Sequence, residues 1–239
     1  MPPKILLATP ISDKKAYILQ EWLTYIRQFT YPNYDVYLVD NSHNPSYHKS
    51  IWEEHGIACG YVNPTGKRAT QYITESQNKL RDYFLAGDYD YFFSLECDNF
   101  PPPNIIEFML SFKKDNFNIP YFLKRGDDQC LGVQKSVINY QGFCSNKVLS
   151  PTDSLTQFDG RVKPYFAPSL GCSLLSRRLM EKIPFRVSNT NPYAFSDSYF
   201  HWDSNKLGIK PYVHMGQLCK HHRFTWRFNS DFVPVGRMG

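Results

Sequence analysis

A chain of 239 residues is long enough for one large domain or two small ones, and long enough to bury a sizeable core. Its 27 Lys+Arg against 22 Asp+Glu leave a formal charge of +5 with no tight basic run, which suits solubility or an anionic small molecule and argues against a nucleic-acid-binding protein. Six scattered cysteines show no CxxC pair and no zinc spacing, the opening apolar stretch Ile5 to Ala8 is too short for a signal peptide, and no apolar run reaches membrane-spanning length. These features lead to the expectation of a soluble, cytoplasmic protein with reduced thiols and no transmembrane segment, with peripheral membrane contact left open.

The first half alternates strand and helix patterns. Lys4 to Thr9 reads as a strand, and Asp13 to Phe29 as a helix with a broad apolar stripe of Tyr17, Leu19, Trp22, Leu23 and Ile26. Tyr34 to Val39 is a second strand, ending in Asp40-Asn41-Ser42. Ser46 to His55 is a helix introduced by Asn44-Pro45. Ile57 to Val62 is a short third strand, Gly66 to Ala86 a long helix stopped by Gly87, and Tyr89 to Leu95 a buried, aromatic-rich strand. This rhythm predicts an α/β fold with a mostly parallel sheet covered on both faces. Beyond it, Ile105 to Phe112 reads as a helix, 119 to 170 as short strands and turns, and Leu174 to Glu181 as a short helix. Ser196 to Leu207 is a further helix, Pro211 to His214 a late strand, and 223–239 a tail without periodicity.

Ligands of parallel sheets bind at the carboxyl ends of the strands. Three polar clusters fall there: Thr9-Pro10, Asp40-Asn41 and Glu96-Cys97-Asp98. Side chains alternate along a strand, so Glu96 and Asp98 point the same way if extended geometry continues to residue 98. Two such carboxylates repel unless a cation lies between them, and a hard divalent ion with oxygen ligands is the usual solution. The plainer reading is a pair of solvated acids at a strand end. Pro101-Pro102-Pro103 then stops the strand and can open a helix.

An acid-x-acid motif closing the alternating first half is followed by Gly171-Cys172, then by Phe195-Ser196-Asp197 opening a helix that ends Lys206-Leu207-Gly208-Ile209-Lys210, and then by a histidine one strand later. This order resembles GT-A fold glycosyltransferases, especially those of the inverting family 2 type, over residues 4 to 222. The resemblance implies a single GT-A-like catalytic domain at 1–222, with a nucleotide-binding half at 1–100, an acceptor-side half at 101–222, and a tail at 223–239. It implies that Thr9, Pro10, Asp40, Arg68 and Cys97 belong to the nucleotide pocket. Glu96, Asp98 and His222 would hold a divalent cation, Mn or Mg, and Asp197 would be the catalytic base. The implied donor is a nucleotide-diphosphate sugar, UDP favoured, and the acceptor a hydroxyl on a glycan or glycoconjugate. The chain departs from the family pattern in carrying Glu96 where Asp is commoner, Ser196 before the base, and two adjacent histidines, His221 and His222, at the third ligand position.

Each assignment has a plainer counterpart. Asp197 could cap its helix, Asp40 could cap a turn, and Arg68 could be a solvated helix residue. Asp203 is a weaker base candidate on another helical face, and Asp127-Asp128 reads as a loop. Trp22 and Tyr25 read as core, whereas Trp202 and Trp226 are better placed to stack on a sugar ring. A sugar nucleotidyltransferase would need a Gly-rich loop after the first strand, and Ala8 to Lys14 contains no glycine. A non-catalytic nucleotide- or carbohydrate-binding module stays open. A metal-dependent phosphoesterase would need more clustered Asp and His at strand ends.

Overall fold

The computed structural model describes residues 2–125, 128–131, 133–135, 147–148, 159–188 and 195–222. The first half runs β1 (Ile5–Ile11), α1 (Ala16–Ile26), β2 (Tyr34–Asp40), α2 (Tyr47–His55), β3 (Ala58–Tyr61), α3 (Ala69–Ala86) and β4 (Tyr91–Leu95). It continues with β5 (Asn99–Phe100), α4 (Ile105–Ser111), β6 (Asn116–Asn118), β7 (Phe122–Arg125), β8 (Asp128–Leu131), β9 (Val133–Lys135), β10 (Lys147–Val148), β11 (Val162–Pro164) and β12 (Ala167–Pro168). The last elements are β13 (Cys172–Ser176), α5 (Arg177–Lys182), α6 (Ser196–Lys206), β14 (Tyr212–His214) and β15 (Lys220–His221).

One eight-stranded sheet, in the order β11-β14-β6-β13-β4-β1-β2-β3, draws strands from both sides of residue 100. The strands β3, β2, β1 and β4 are mutually parallel, β13 is antiparallel to β4 and β6, β14 is parallel to β6, and β11 is antiparallel to β14. All but β13 and β11 therefore run one way. Strand alternation explains the two layers of core. Ile5, Leu7 and Ile11 of β1 face Leu19, Trp22 and Leu23 of α1, Ile51 of α2, and Ile105, Ile106 and Met109 of α4. Leu6 and Ala8 face the opposite layer, with Leu80 and Phe84 of α3, Leu179 and Met180 of α5, and Phe200 of α6. Among the described residues no helix is long and apolar enough to cross a membrane.

The sheet corrects the sequence reading in its second half. The expected helix Leu174 to Glu181 begins instead as β13, whose five residues are all buried between β4 and β6, and becomes helical only at Arg177. Ser176 marks the change, its hydroxyl accepting from the Leu179 N–H at 3.3 Å as an N-cap. The expected helix Asp13 to Phe29 opens with a separate 3₁₀ turn, Asp13–Lys15.

The antiparallel part of the sheet encloses polar groups that satisfy one another. The Ser173 hydroxyl donates to Asn118 Oδ1 at 2.5 Å, and Asn118 Nδ2 donates to Asn116 Oδ1 at 2.9 Å and to the Tyr212 carbonyl at 3.1 Å. Asn116 Nδ2 lies 3.1 Å from His201 Nδ1 and 3.3 Å from the Ser204 hydroxyl. Burial pushes the His201 imidazole down to about 3, so the ring is neutral and Nδ1 is the acceptor. This chain ties β13 and β6 to α6. Asn118→Ala removes its central link and leaves buried partners unmatched. It is expected to cost about 1–3 kcal/mol, measured by denaturant unfolding.

Candidate functional site

The site is built where β4 stops. The Asn99 N–H donates to the Glu96 carbonyl at 2.9 Å, closing a turn over residues 96–99. The two acids therefore converge around a turn, and not along an extended strand as expected. The Gly171 carbonyl accepts from the Glu96 N–H and from Asn99 Nδ2, each at 3.0 Å, pinning the turn to the residue that precedes β13. A Cβ at Gly171 would overlap the Tyr121 hydroxyl and the Asn99 amide, so any larger residue would push these two side chains out of place. On the other side β15 pairs antiparallel with β5, His221 opposite Asn99, and the His222 N–H donates to the Asp98 carbonyl at 2.7 Å.

This pairing sets His221, not His222, beside the acids. His221 Nε2 is 3.4 Å from Asp98 Oδ2, and Lys15 Nζ forms an ion pair with the same oxygen. The Tyr121 hydroxyl donates to Glu96 Oε2 at 3.2 Å. Among the described residues, Glu96, Asp98 and His221 form a group whose ligand atoms all lie within 4.8 Å of one another. Burial, then the neighbouring Asp98 charge, raises the Glu96 carboxyl well above the usual carboxylate range. Asp98 is buried, but hydrogen bonding and charge from His221 and Lys15 outweigh that burial and hold it low. The Cys97 thiol between them is buried and pushed upward, which keeps it protonated. Two carboxylates and one imidazole suit a divalent ion such as Mn or Mg.

A cavity of about 400 Å³ opens over this group. It is lined by Pro10, Ile11, Ser12 and Lys15 at the end of β1, by Asn41 after β2, and by Tyr72, Ile73 and Gln77 of α3. Ser94, Glu96, Cys97, Asp98, Leu170 and His221 complete the lining. The sheet is wound outward in opposite directions from β1 and β4, so the cavity occupies the switch point where ligands of such sheets bind.

The remaining sequence candidates are dispersed around it. Thr9 is buried, its hydroxyl donating to the Pro10 carbonyl at 3.2 Å. Asp40 is fully buried; Oδ1 accepts from the Ser42 N–H at 2.8 Å and from its hydroxyl, whereas Oδ2 has no hydrogen-bond partner among the described residues. Arg68 is exposed at the N-cap of α3, outside the cavity lining. His222 is turned toward Glu21, with Nε2 3.7 Å from its carboxylate. Asp197 lies in the first turn of α6 without capping it, its Oδ1 accepting from the adjacent Ser198 N–H at 2.7 Å. Burial raises the Asp197 carboxyl, and its charge reaches the Tyr121 hydroxyl that touches Glu96. Asp203 pairs with Arg186, and Trp202 packs edge-on against Phe166. Asp127, Trp226 and the tail 223–239 lie outside the described residues. Sequence reasoning missed Lys15 and Tyr121. The Lys14-Lys15 pair just after the first strand was the available signal for Lys15.

No family model and no curated protein sequence matches the chain. Solved structures do match it. A197 from STIV superposes with a TM-score of 0.50 at 15% identity, covering 93% of this chain and 87% of that one. The mannosyltransferase PcManGT from Pyrobaculum calidifontis, solved in complex with GDP-Man and Mn2+, gives a TM-score of 0.56 at 14% identity over 92% of this chain. S. aureus TarS gives 0.55 at 13% identity over 91% of this chain. The fold is that of the GT-A glycosyltransferases. The chain spans 57% of the mannosyltransferase and 36% of TarS. Identity at this level establishes the fold alone.

The raised Glu96 carboxyl has a measurable sign. The folded protein takes up that proton at a higher pH than the unfolded chain does, so its cost to stability is full above the folded pKa and fades as pH falls. With divalent ions chelated, the stability of the wild type relative to Glu96→Gln is expected to rise as the pH is lowered from neutral toward the ordinary carboxylate range. Thermal unfolding of both proteins across that window checks it.

Proposed function

We propose that the protein is a divalent-metal-dependent glycosyltransferase that moves a sugar from a nucleotide-diphosphate sugar to a hydroxyl acceptor with inversion. The observation that carries the reading is the Glu96–Asp98–His221 group beneath a cavity at the switch point of a GT-A sheet. Glu96, Asp98 and His221 would hold the ion, His221 replacing the His222 of the sequence reading. When bound, an Mn or Mg ion acts there as a Lewis acid for the charge of a diphosphate leaving group. A neighbouring fold solved with GDP-Man and Mn2+ supports this ligand class.

The chain's own groups supply the remaining work. Pro10, Ile11 and Ser12 after β1 and Asn41 after β2 form the wall against which a nucleoside would lie. Asp40, with one buried oxygen lacking a partner, sits at the end of β2, where the family contacts a base or ribose. Asp197 would take the proton of the acceptor hydroxyl. Burial raises its affinity for that proton, which suits a general base. One displacement on the face opposite the leaving group gives inversion without a covalent intermediate. We propose 1–222 as the catalytic domain and a UDP-sugar as the favoured donor, with the acceptor a glycan or glycoconjugate.

Calorimetry of a nucleoside diphosphate panel, with and without Mn2+, tests the donor site. Wild-type protein is expected to bind UDP or GDP only with Mn2+, and Asp98→Ala is expected to lose that binding. Asp197→Asn is expected to lower turnover by about 10²–10⁴ while donor affinity is kept. Absence of binding to every nucleotide under both conditions would overturn the glycosyltransferase reading in favour of a carbohydrate-binding module.

A further inference from the structure

Lys15 has no part in the scheme above, yet it holds the most consequential oxygen of the site. Its ammonium is paired with Asp98 Oδ2, the atom that also lies 3.4 Å from His221 Nε2. Asp98 is 6% exposed, and Glu96 lies beside it. A carboxylate in that position needs a cation, and in the protein alone Lys15 provides it. The backbone of Lys15 is fixed. Its N–H donates to the Ser12 carbonyl at 2.8 Å, and the 3₁₀ turn is anchored by the Asp13 N–H on the Ser42 hydroxyl at 2.7 Å. Its side chain is not enclosed: it is 37% exposed and lines the cavity. A lysine is a point charge on a flexible four-carbon stem, able to move its head group while its backbone stays in place. An ammonium and a divalent ion repel one another, so both cannot remain close on one carboxylate oxygen.

We infer that Lys15 is an exchangeable counter-ion, which neutralises Asp98 while the site lacks metal and is displaced by the incoming divalent ion into the cavity, where it binds the diphosphate of the donor. The second half of this inference rests on the glycosyltransferase reading; the first does not. Exchange makes the two ligands interdependent. Metal alone must break the Lys15–Asp98 pair, whereas metal arriving with a diphosphate gives the released ammonium a new partner. Each ligand then tightens the other by the same factor.

The test uses Lys15→Met, similar in length and uncharged, with Lys15→Arg as a charge-retaining control. Mn2+ alone is titrated by electron paramagnetic resonance, UDP and GDP are titrated at saturating Mn2+ by calorimetry, and melting temperature is recorded with chelator and with Mn2+. Exchange predicts that Lys15→Met binds Mn2+ alone roughly five- to tenfold tighter than wild type, and binds the nucleoside diphosphate weaker by a similar factor. It also predicts a lower melting temperature in chelator that Mn2+ raises by more than it raises the wild type. Lys15→Arg should stay near wild type on the diphosphate arm. Unchanged or weaker Mn2+ binding in a folded Lys15→Met protein would overturn the inference and make Lys15 a fixed brace. Tighter Mn2+ binding in Lys15→Met, with no nucleoside diphosphate bound by any of the proteins, would sustain the exchange and overturn both the diphosphate role and the glycosyltransferase reading.

Discussion

Two carboxylates set on one tight turn, Asp98 buried and Glu96 on the cavity wall, impose their demands on every neighbouring segment. Glu96 and Asp98 cannot both be charged there without compensation. The compensation arrives from elements far apart in the chain: an ammonium from the turn after β1, an imidazole from β15, and a phenol hydroxyl from Tyr121. Their environments separate the two acids. Asp98 has the Lys15 ammonium and the His221 imidazole beside it and stays ionised, while Glu96 has a neutral donor and a like charge and holds its proton more tightly. One position thus offers a firm anionic ligand and an adaptable one.

The antiparallel insertion of β13 makes this arrangement possible. Strands β1, β2 and β4 deliver their carboxyl ends to the cavity, and β13, running the other way, delivers the residue before its start. That residue is Gly171, whose carbonyl accepts two hydrogen bonds from the acidic turn and whose missing side chain leaves room for Tyr121. The polar chain from Ser173 through Asn118 and Asn116 to His201 then couples the same strand to α6, which carries Asp197. A polar interior in this half gives α6 a fixed position that apolar packing alone would specify less sharply.

The parallel half was legible because its strands are short apolar runs separated by clear breaks, and because its polar clusters fall at the strand ends. The second half was not, for identifiable reasons. Leu175, Leu179 and Ile183 repeat at helical spacing, so a segment that is strand up to Ser176 reads as helix throughout; only burial between β4 and β6 distinguishes the two. Asn116 and Asn118 flank Phe117 like loop residues, and their burial is tolerable only because Ser173, Tyr212 and His201 meet them from afar. The choice between His221 and His222 depends on pairing with a two-residue strand that follows a turn, and adjacent strand residues face opposite ways. Lys15 was hidden inside what reads as one continuous helix. Its separate 3₁₀ turn redirects it to the acids.

Gly171, Lys15 and His221 also determine when the site comes into being. The Lys15–Asp98 pair joins residues 83 apart, and the His221 contact waits for the last described strand. Contacts of such long sequence separation form late, because the loops they close must be ordered first. No local fragment contains a weaker version of the site. A chain folded only through the acidic turn could pair Lys15 with Asp98 but would lack Tyr121, Gly171 and His221, and full ligand geometry would appear only as the sheet closes around β13 and β15 pairs with β5. Integrity of the site is therefore a direct report on completion of the fold.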